Sequence, residues 1–595
     1  MNGRITLLVA LALCLCAACA ESPASAEAAS AAPNTATAPA PAQTPVQASA
    51  RPPGIAVASA HPLATDAGIE VMQAGGNAFD AAVAVSAALS VVEPTGSGIG
   101  GGGFWLLHVA GKSSGAHDEG RDVFVDGREV APMAATENMY LDANGKAVDI
   151  ASRDGALAAG IPGEPAALVA LAAKYGKLGL ARDLAPAIRY AHDGFAVDPK
   201  LAHAIAENAT RLSPAAAAIF VPAGKPLAAG DQLVQADLAK TLQQLAAKGS
   251  AGFYRGAVAQ TLVAGVRSAH GIWSEDDLAR YSVVEREPLV TYFRDYKLVT
   301  SPPPSAGGIA LAETLQQLEV LGWTDTHDAA AKHLVIESLR RAYHDRAQYL
   351  GDPDFVSIPL TRLASRDYAI SLARTIDRKH ATPSASLDAA AKSAVEGGQT
   401  SHFSVIDADG NRVAATMSIN LSFGAGFMVP GTGVMLNDEM DDFAASTTAS
   451  NAYGLIGSKA NAVAPRKRPL STMTPSFVEG PNGTLVIGTP GGSRIATMVL
   501  LGILNFVDGA DAQSIVSAPR YHHQYLPDVV QFEPGALSGA EQHDLTAMGD
   551  TLKPLSSTYG NLQVVLWKPQ NDTLQAAADP RAVGAGRVVL MAAPH

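Results

Sequence analysis

Apolar residues recur at helical intervals through the first two thirds of the chain. Residues 61–74 show this spacing, which stops at Gly75-Gly76. The Ala-rich run that ends at Val92 is apolar on nearly every side, a pattern typical of a buried helix. Similar patterns predict helices after the Gly/Pro turn that opens residues 155–175, from Ser274 with Asp277 in a capping box, and over residues 332–350 and 496–507.

Alternating patterns typical of strands begin at Thr400. Residues 402–406 and 412–419 alternate around the turn 407–411 and predict a β-hairpin. Similar runs predict strands over residues 484–488, 561–567 and 587–591. A helix-rich first part and a strand-rich second part, with few βαβ units, predict an α+β protein built of layers.

The second strand of this hairpin presents two different faces. One face carries Ala415, Met417, Ile419 and Leu421, and the other carries Thr416, Ser418 and Asn420. If the apolar face packs into the core, the polar face lines a cavity beside the strand that starts at Thr400. The alternative is a half-buried strand whose polar face meets solvent.

A glycine-rich segment spans residues 98–104. It lacks the Gly-Lys-Ser/Thr ending of a phosphate-binding loop, and no strand–loop–helix unit surrounds it, so nucleotide binding is not predicted. We expect instead a backbone that passes close to another part of the backbone.

Size and charge narrow the class of protein. The chain has 595 residues, of which 48% are hydrophobic, and it exceeds the usual size of one domain. Either about two to four domains or one large unit of two interleaved polypeptides would fit this length. The net charge of −13 and the lack of a long basic run argue against a nucleic-acid partner.

The N-terminus has the pattern of an export signal, in which Arg4 precedes an apolar run too short to span a bilayer. Two endings remain open. Residues 1–26 form a signal peptide if Ala24-Ser25-Ala26 is the cleavage site, whereas a lipoprotein box would end at Cys19 and place a lipid anchor there. Residues 27–53, rich in Ala and Pro, are a linker. No later apolar run is long enough to span a membrane, so we expect a periplasmic or otherwise secreted protein, lipid-anchored in the envelope under the second alternative.

The candidate nucleophile is a hydroxyl. All three cysteines lie in the leader, so the mature chain has neither a disulfide nor a thiol nucleophile. Residues 380–399 are rich in Ala, Ser and Lys and end in Gly397-Gly398-Gln399, which predicts a flexible segment where cleavage is physically possible. Cleavage before Thr400 would free an α-amine with a pKa of about 8, suited to take the proton of the threonine hydroxyl.

Several segments resemble the motifs of γ-glutamyltranspeptidases, members of the N-terminal nucleophile hydrolase superfamily. QTSHFSV at 399–405 resembles the cleavage and nucleophile motif, NDEMDDF at 437–443 the acidic substrate motif, KRPLSTMTP at 467–475 the serine motif, and TPGGSR at 489–494 the oxyanion loop. AGGNA at 74–78, the segment 98–104, DGRE at 126–129 and ADPR at 578–581 also match in order. The resemblance covers the chain from about Pro53 to the C-terminus, and so many ordered motifs make it specific.

The resemblance implies a role for each matched residue. Thr400 would attack the carbonyl of Gln399, cleave the chain there and become the acylated nucleophile, with Ser418 near its amine. Many relatives carry Thr in place of Ser418, a mild departure that keeps the hydroxyl. The N–H groups of Gly491 and Gly492 would form the oxyanion hole. The substrate α-carboxylate would be bound by Arg128, Ser471 and Thr472, and its α-ammonium by Asn420, Glu439 and Asp442. Tyr453 would belong to a lid over the site.

The implied fold is α+β, a four-layer αββα sandwich of the N-terminal nucleophile hydrolase type. A large subunit, 54–399, and a small catalytic subunit, 400–595, would form one interleaved unit. The implied activity is transfer of a γ-glutamyl group from glutathione or γ-glutamyl amides to water, an amino acid or a dipeptide, without cofactor or metal. Two alternatives stay open: a cephalosporin or glutaryl acylase on the same scaffold, and an uncleaved envelope protein that only binds γ-glutamyl compounds.

Several acidic and histidine residues also have structural interpretations. Asp441 is as acidic as Asp442, and alternation does not say which one serves the site, although the family pattern favours Asp442. His402 is expected to be structural, because the freed amine already provides a base. His522 and His523 are adjacent and face opposite ways on a strand, so a metal pair is not predicted.

Overall fold

The computed structural model describes residues 51–111, 120–324, 328–387, 400–446 and 449–591. In these residues the α-helices are Pro62–Gln73 (α1), Ala78–Val92 (α2), Asp149–Arg153 (α3), Glu164–Lys174 (α4), Leu180–Asp183 (α5), Ala185–Asp193 (α6), Pro199–Asn208 (α7), Pro214–Phe220 (α8), Ala236–Lys248 (α9), Ala251–Tyr254 (α10), Gly256–Ser268 (α11), Glu275–Ala279 (α12), Gly307–Val320 (α13), Ala329–Tyr349 (α14), Leu360–Leu363 (α15), Arg366–Ala373 (α16), Ile495–Val507 (α17), Ala512–Ser517 (α18) and Gly539–Met548 (α19). The β-strands are Gly54–Ser59 (β1), Gly102–Val109 (β2), Arg121–Gly127 (β3), Phe195–Ala196 (β4), Gln232–Leu233 (β5), Val284–Arg286 (β6), Leu289–Phe293 (β7), Tyr296–Thr300 (β8), Thr400–Ile406 (β9), Arg412–Ser418 (β10), Ser476–Gly480 (β11), Gly483–Gly488 (β12), Tyr521–His522 (β13), Val530–Phe532 (β14), Leu552–Pro554 (β15), Gln563–Lys568 (β16), Thr573–Ala578 (β17) and Ala585–Leu590 (β18).

The helices predicted from apolar spacing form where the pattern placed them. Every residue of α2 is buried, as predicted from a sequence that is apolar on nearly every side. Its first turn is held by a capping box between Asn77 and Asp80, and α12 begins with the predicted box between Ser274 and Asp277. The segment 155–175 starts its helix only at Glu164, after a 3₁₀ turn at Ala156–Ala158.

Two antiparallel sheets form the centre of the molecule. The first has the strand order β18-β1-β9-β10-β2-β3-β6, and the second has the order β17-β16-β12-β11-β8-β7. The predicted hairpin forms as β9 and β10, which lie in the middle of the first sheet and pair in register from Arg412 opposite Ile406 to Ser418 opposite Thr400.

Side-chain alternation places each face of the first sheet in a different core. Trp105 and Leu107 of β2 pack with α2 and its neighbouring helices, whereas Phe104 and Leu106 pack in the core that also contains residues of the second sheet. Helices α13, α14 and α17 contribute to that second core. The layers in space are therefore helices, the first sheet, the second sheet and further helices, which confirms the predicted α+β sandwich of four layers.

Parts of the chain named above lie outside the described residues. They include the leader with Cys19, nearly all of the linker, and Gln399 with the segment before it. Among the helices of the described ranges, none combines the length and the apolar character that crossing a membrane requires.

Candidate active site

The candidate nucleophile lies at the first residue of β9, on the face that looks toward the second sheet. Because side chains alternate, Thr400 shares this face with His402 and Ser404. The Oγ1 atom of Thr400 lies 3.3 Å from the Oγ atom of Ser418, its cross-strand neighbour on β10. The Ser418 Oγ atom also accepts a hydrogen bond of 2.8 Å from the Asn420 N–H. The two hydroxyl groups that the sequence singled out are thus neighbours at one end of the strand pair.

The glycine-rich segment 98–104 wraps closely around this end of the hairpin. A Cβ atom on Gly101 would lie 2.2 Å from the Ser418 carbonyl oxygen, and one on Gly100 would lie 1.9 Å from the carbonyl oxygen of Met435. No side chain fits at such distances, so the backbone itself provides the contact. The prediction of close backbone approach in this segment is confirmed.

Gly491 and Gly492 lie just beyond the end of β12, in the second sheet. Both have positive φ angles, 136° and 56°, and a 3₁₀ turn from Gly492 leads directly into α17. Within the described residues, no hydrogen bond uses the N–H of either glycine. Two N–H groups without a partner next to a helix N-terminus are suited to receive a developing negative charge.

Arg128 is the centre of a buried charge cluster. Its Nη1 atom lies 2.8 Å from Glu439, its Nη2 atom lies 2.5 Å from Asp442, and its Nε donates to the carbonyl of Pro469 at 3.2 Å. Glu129 lies 3.6 Å from Nη1. A guanidinium with these neighbours can bind a carboxylate, and the acidic side chains can bind an ammonium group.

Burial and mutual repulsion raise the pKa values of Glu439 and Glu129 in this cluster. Burial raises the pKa of Glu439 to about 7, although Arg128 opposes the shift, and the nearby Asp442 carboxylate raises it further. The pKa of Glu129 is raised well above its usual range by burial and by Glu439. The pKa of Arg128 is raised because its three acidic neighbours outweigh the effect of burial, so the guanidinium stays charged.

The structure separates Asp441 from Asp442. Asp441 accepts hydrogen bonds from Ser152 at 2.7 Å and from the Ala452 N–H at 2.8 Å, and it pairs with Arg153 at 3.2 Å. Asp442 faces Arg128 instead. Of the two acids, Asp442 is therefore the one placed with the candidate substrate-binding groups.

The serine motif connects the charge cluster to the glycine loop. Its Pro469 carbonyl contacts Arg128, and the Thr472 hydroxyl donates to the Gly492 carbonyl at 2.7 Å. Ser471 is buried beside it, and its Oγ accepts a hydrogen bond from the Met473 N–H.

Tyr453, in the loop between the acidic and serine motifs, lies against Asn420 and Gly492. Its hydroxyl donates to the Oδ1 atom of Asn420 at 2.7 Å, and its ring would lie 2.3 Å from a Cβ atom on Gly492. Tyr453 thus bridges the β10 end and the glycine loop, as a lid would. Residues 447–448 of this loop lie outside the described residues.

Two expectations about β10 need correction. Both faces of the strand are buried, so the alternative of a solvent-facing polar side is wrong. The strand ends at Ser418, one residue before the predicted end, because Asn420 adopts a left-handed φ of 74° and alternation no longer applies there. Asn420 nevertheless reaches the site through its contact with Tyr453.

The histidines are structural, as expected. His402 is buried against Thr416 and Ser404, and burial lowers its pKa to about 3, so it stays neutral and does not serve as a base. His522 contacts Thr497 and Gln524, whereas His523 contacts Asp528. Nowhere in the described ranges do three His, Cys, Asp or Glu side chains come together as metal ligands would.

The sequence reasoning missed several residues around the site. Asn451 donates to Asp442 at 2.9 Å and so ties the lid loop to the charge cluster. Ser401 donates to the buried carboxylate of Glu93 at 2.6 Å, and Lys200 pairs with the same carboxylate at 3.0 Å. One signal was available, since Glu93 directly follows a long apolar helix that has no charged residue after Asp80.

Comparisons with known proteins agree with this geometry. The gamma-glutamyltranspeptidase family model matches residues 64–589. The chain is 42% identical over 517 residues to a glutathione hydrolase proenzyme of Pseudomonas sp. strain A14, covering 85% of this chain and 87% of the relative, and 40% identical over 534 residues to the Escherichia coli K12 protein of the same name, covering 89% and 90%. The crystal structure of cephalosporin acylase from Bacillus halodurans superposes with a TM-score of 0.77 at 27% identity, over 93% of this chain and 98% of that one. The chain therefore belongs to the gamma-glutamyltranspeptidase family, whose members are enzymes with the fold of N-terminal nucleophile hydrolases.

Proposed function

We propose that this chain cleaves itself between Gln399 and Thr400 and then uses Thr400 to transfer or hydrolyse γ-glutamyl groups. The observation that carries the proposal is the 3.3 Å contact between the Thr400 and Ser418 hydroxyls at the end of the central strand pair. In the first step the Thr400 hydroxyl attacks the Gln399 carbonyl, and the peptide bond is replaced by an ester. This shift breaks the C–N bond and frees the α-amine of Thr400, and water then hydrolyses the ester to release the Gln399 carboxylate and the Thr400 hydroxyl.

The freed amine makes Thr400 its own base. It takes the hydroxyl proton as Oγ1 attacks the γ-carbonyl of the substrate, and it returns the proton to the leaving amine. The negative oxygen that forms in between accepts hydrogen bonds from the N–H groups of Gly491 and Gly492. Attack on the resulting ester by water gives hydrolysis, and attack by an amino acid or a dipeptide gives transfer.

The charge cluster supports a γ-glutamyl substrate. The α-carboxylate binds Arg128 and the hydroxyls of Ser471 and Thr472, while the α-ammonium binds Glu439 and Asp442. Asn420, held by Tyr453, completes the ammonium side. Relatives named glutathione hydrolase support glutathione as one natural substrate.

Mass analysis of the purified protein tests self-cleavage most directly. We expect the wild-type chain to yield two fragments, the smaller of which begins at Thr400. Thr400→Ala should remain one chain, whereas Thr400→Ser, which keeps a hydroxyl, should still cleave. An intact, active wild-type chain would overturn the proposal, and an intact, inactive chain that binds γ-glutamyl compounds would leave the binding-protein alternative.

The ammonium group of the substrate distinguishes the γ-glutamyl enzyme from the acylase alternative. It has support of its own, because the Bacillus halodurans neighbour is a cephalosporin acylase. A glutaryl anilide carries the same carboxylate and scissile amide as a γ-glutamyl anilide but no α-ammonium. Faster turnover of the γ-glutamyl anilide is expected because Glu439 and Asp442 then have a partner, and faster turnover of the glutaryl compound would identify an acylase.

The proposal also divides the chain into a leader and two subunits. Residues 54–399 are the large subunit, residues 400–595 are the small subunit, and residues 1–53 carry the export signal and linker. The mass of the mature large fragment distinguishes the two signal endings, because cleavage after Ala26 leaves Glu27 first, whereas the lipoprotein route leaves an acylated Cys19. A fragment that retains Met1 in the native host would contradict export.

A further inference from the structure

The first residues of β9, which carry Thr400, pair with a neighbouring strand on one side only. On one side, β10 pairs with β9 along its full length, from Ile406 to Thr400. On the other side, β1 pairs with residues 403–406 and stops at Ser59 opposite Phe403. Among the described strands, none replaces β1 beside residues 400–402.

A loop takes the place of the missing strand. Residues 93–97, directly after α2, form a turn in which the N–H groups of Gly96 and Ser97 donate to the Glu93 carbonyl. A Cβ atom on Gly96 would lie 3.0 Å from the Ser401 Oγ and 3.3 Å from the carbonyl carbon and oxygen of Thr400. The loop backbone therefore touches the nucleophile residue directly.

The loop also holds Ser401 through hydrogen bonds. The Ser401 Oγ donates to Glu93 Oε2 at 2.6 Å, and the Ser97 Oγ donates to the Ser401 Oγ at 3.0 Å. Lys200, at the start of α7, pairs with the other oxygen of Glu93 at 3.0 Å. The pKa of Lys200 is raised, because Glu93 outweighs the opposite effect of burial, which fits a charged pair.

The same stretch of chain continues to the partner of Thr400. Beyond Ser97 it passes Gly101, whose Cα approaches the Ser418 carbonyl, and then enters β2, where Gly102 lies opposite Ser418. One continuous loop, residues 93–101, therefore contacts both members of the hydroxyl pair. Its buried anchor is the Glu93 carboxylate.

We propose that Glu93, neutralised by Lys200, is a positioning residue that fixes the first residues of β9 through Ser401 and so sets the direction of the Thr400 hydroxyl and amine. The inference rests on the proposed role of Thr400. Glu93 contacts neither substrate nor the reacting atoms, and it acts through the hydrogen bond to Ser401. Small errors in the placement of a reacting group are costly for rate, whereas substrate affinity depends on the separate Arg128 cluster.

Ser401→Ala breaks this connection while it leaves the Glu93–Lys200 pair in place. We expect self-cleavage and kcat to fall by about tenfold to a hundredfold with KM unchanged. Ser404→Ala is the matched control, because it removes another buried hydroxyl of β9, one that donates to the carbonyls of Val486 and Gln563. It should lower the melting temperature without changing kcat or the cleavage rate of the folded protein.

A double-mutant cycle shows whether Glu93 acts through Ser401. Glu93→Gln should slow both reactions, and adding Ser401→Ala to it should cause little further loss. Fully additive effects on kcat would overturn the proposal, as would a Ser401→Ala variant that matches Ser404→Ala. Failure of the wild-type chain to cleave before Thr400 would instead refute the proposed function, so the two failures are distinguishable.

Discussion

At the scale of single residues, the charge cluster is already paired before any substrate arrives. Arg128 is almost fully buried and is neutralised by Glu439 and Asp442. A γ-glutamyl group brings one carboxylate and one ammonium. The carboxylate can replace the acids beside Arg128, and the ammonium can replace Arg128 beside the acids. A glutaryl group brings only the carboxylate and would leave the acids buried without a cation, which is costly. We therefore expect the cluster to select a substrate that carries both charges.

Asp442→Asn tests this selection. We expect KM for a γ-glutamyl anilide to rise about tenfold to a hundredfold, because a hydrogen bond to a charged group contributes roughly 1.5–3 kcal/mol. The weak turnover of a glutaryl anilide should change much less. Asp441→Asn is the matched neighbour, since it contacts Ser152 and Arg153 instead. If the two variants raise KM equally, the assignment of Asp442 to the ammonium is wrong.

The raised pKa of Glu439 predicts a proton release on binding. Burial raises this pKa to about 7, so near neutral pH Glu439 is protonated in a fraction of the molecules. An arriving ammonium favours the charged carboxylate and expels that proton. Binding of glutamate should therefore tighten as pH rises from roughly 6 to 8, since less protonated acid must be converted.

Calorimetry in two buffers with different ionisation enthalpies measures this proton directly. Glu439→Gln removes the titrating group and should abolish the buffer dependence in this pH range. A proton taken up by the wild-type protein, or release that persists in Glu439→Gln, would contradict the prediction. Thr400→Ala should stay uncleaved and therefore lacks the free α-amine. Proton release by this variant equal to that of the wild type would exclude the amine as its source.

At the scale of elements, the site is built where strand ends and loops meet. Thr400 begins β9 and Ser418 ends β10 in one sheet, and Gly491 and Gly492 lie in the loop after β12 in the other. The sheets are held together at this point by His402, whose ring lies where a Cβ atom on Gly488 would be. Paired strands therefore fix the candidate nucleophile, and a loop of two glycines with positive φ angles fixes the candidate oxyanion N–H groups.

Gly492→Ala should disrupt this loop. The added Cβ would lie 2.3 Å from the ring of Tyr453, at a φ of 56° that alanine adopts poorly. We expect kcat to fall about 10²–10³-fold, the usual cost of losing one oxyanion donor. Gly509→Ala is the control, because its φ of 94° imposes the same kind of strain but its added Cβ meets nothing within 4 Å. An equal loss of kcat in both variants would refute a specific role for Gly492.

Local sequence patterns predicted the elements well and their contacts less well. Periodicity found α2, the β9–β10 hairpin and α17 to within a few residues, because apolar spacing is a local property. The left-handed turn at Asn420 and the partners of Glu93 were not predictable, since they depend on contacts between distant parts of the chain. That Arg128 and Asp442 belong to one site was predicted from the resemblance to known motifs and not from periodicity.

At the scale of the whole molecule, each sheet combines strands from both sides of Thr400. In the first sheet, β9 lies between β1 and β10, and β10 lies between β9 and β2. In the second sheet, β8 from before Thr400 pairs with β11 from after it. The boundary between the proposed subunits therefore runs through the central hydrogen bonds and both cores.

This arrangement predicts that cleavage leaves the two fragments inseparable without denaturant. Separating them would break the ladders between β1 and β9, β2 and β10, and β8 and β11, and it would expose both hydrophobic cores. We expect a single elution volume on gel filtration, two bands on denaturing electrophoresis, and one cooperative unfolding transition in which both fragments lose structure together. The uncleaved Thr400→Ala chain is the control and should elute at the same volume, because cutting one bond in a connecting segment leaves these contacts in place. Fragments that separate on dilution in native buffer would show that the two portions pack as independent domains.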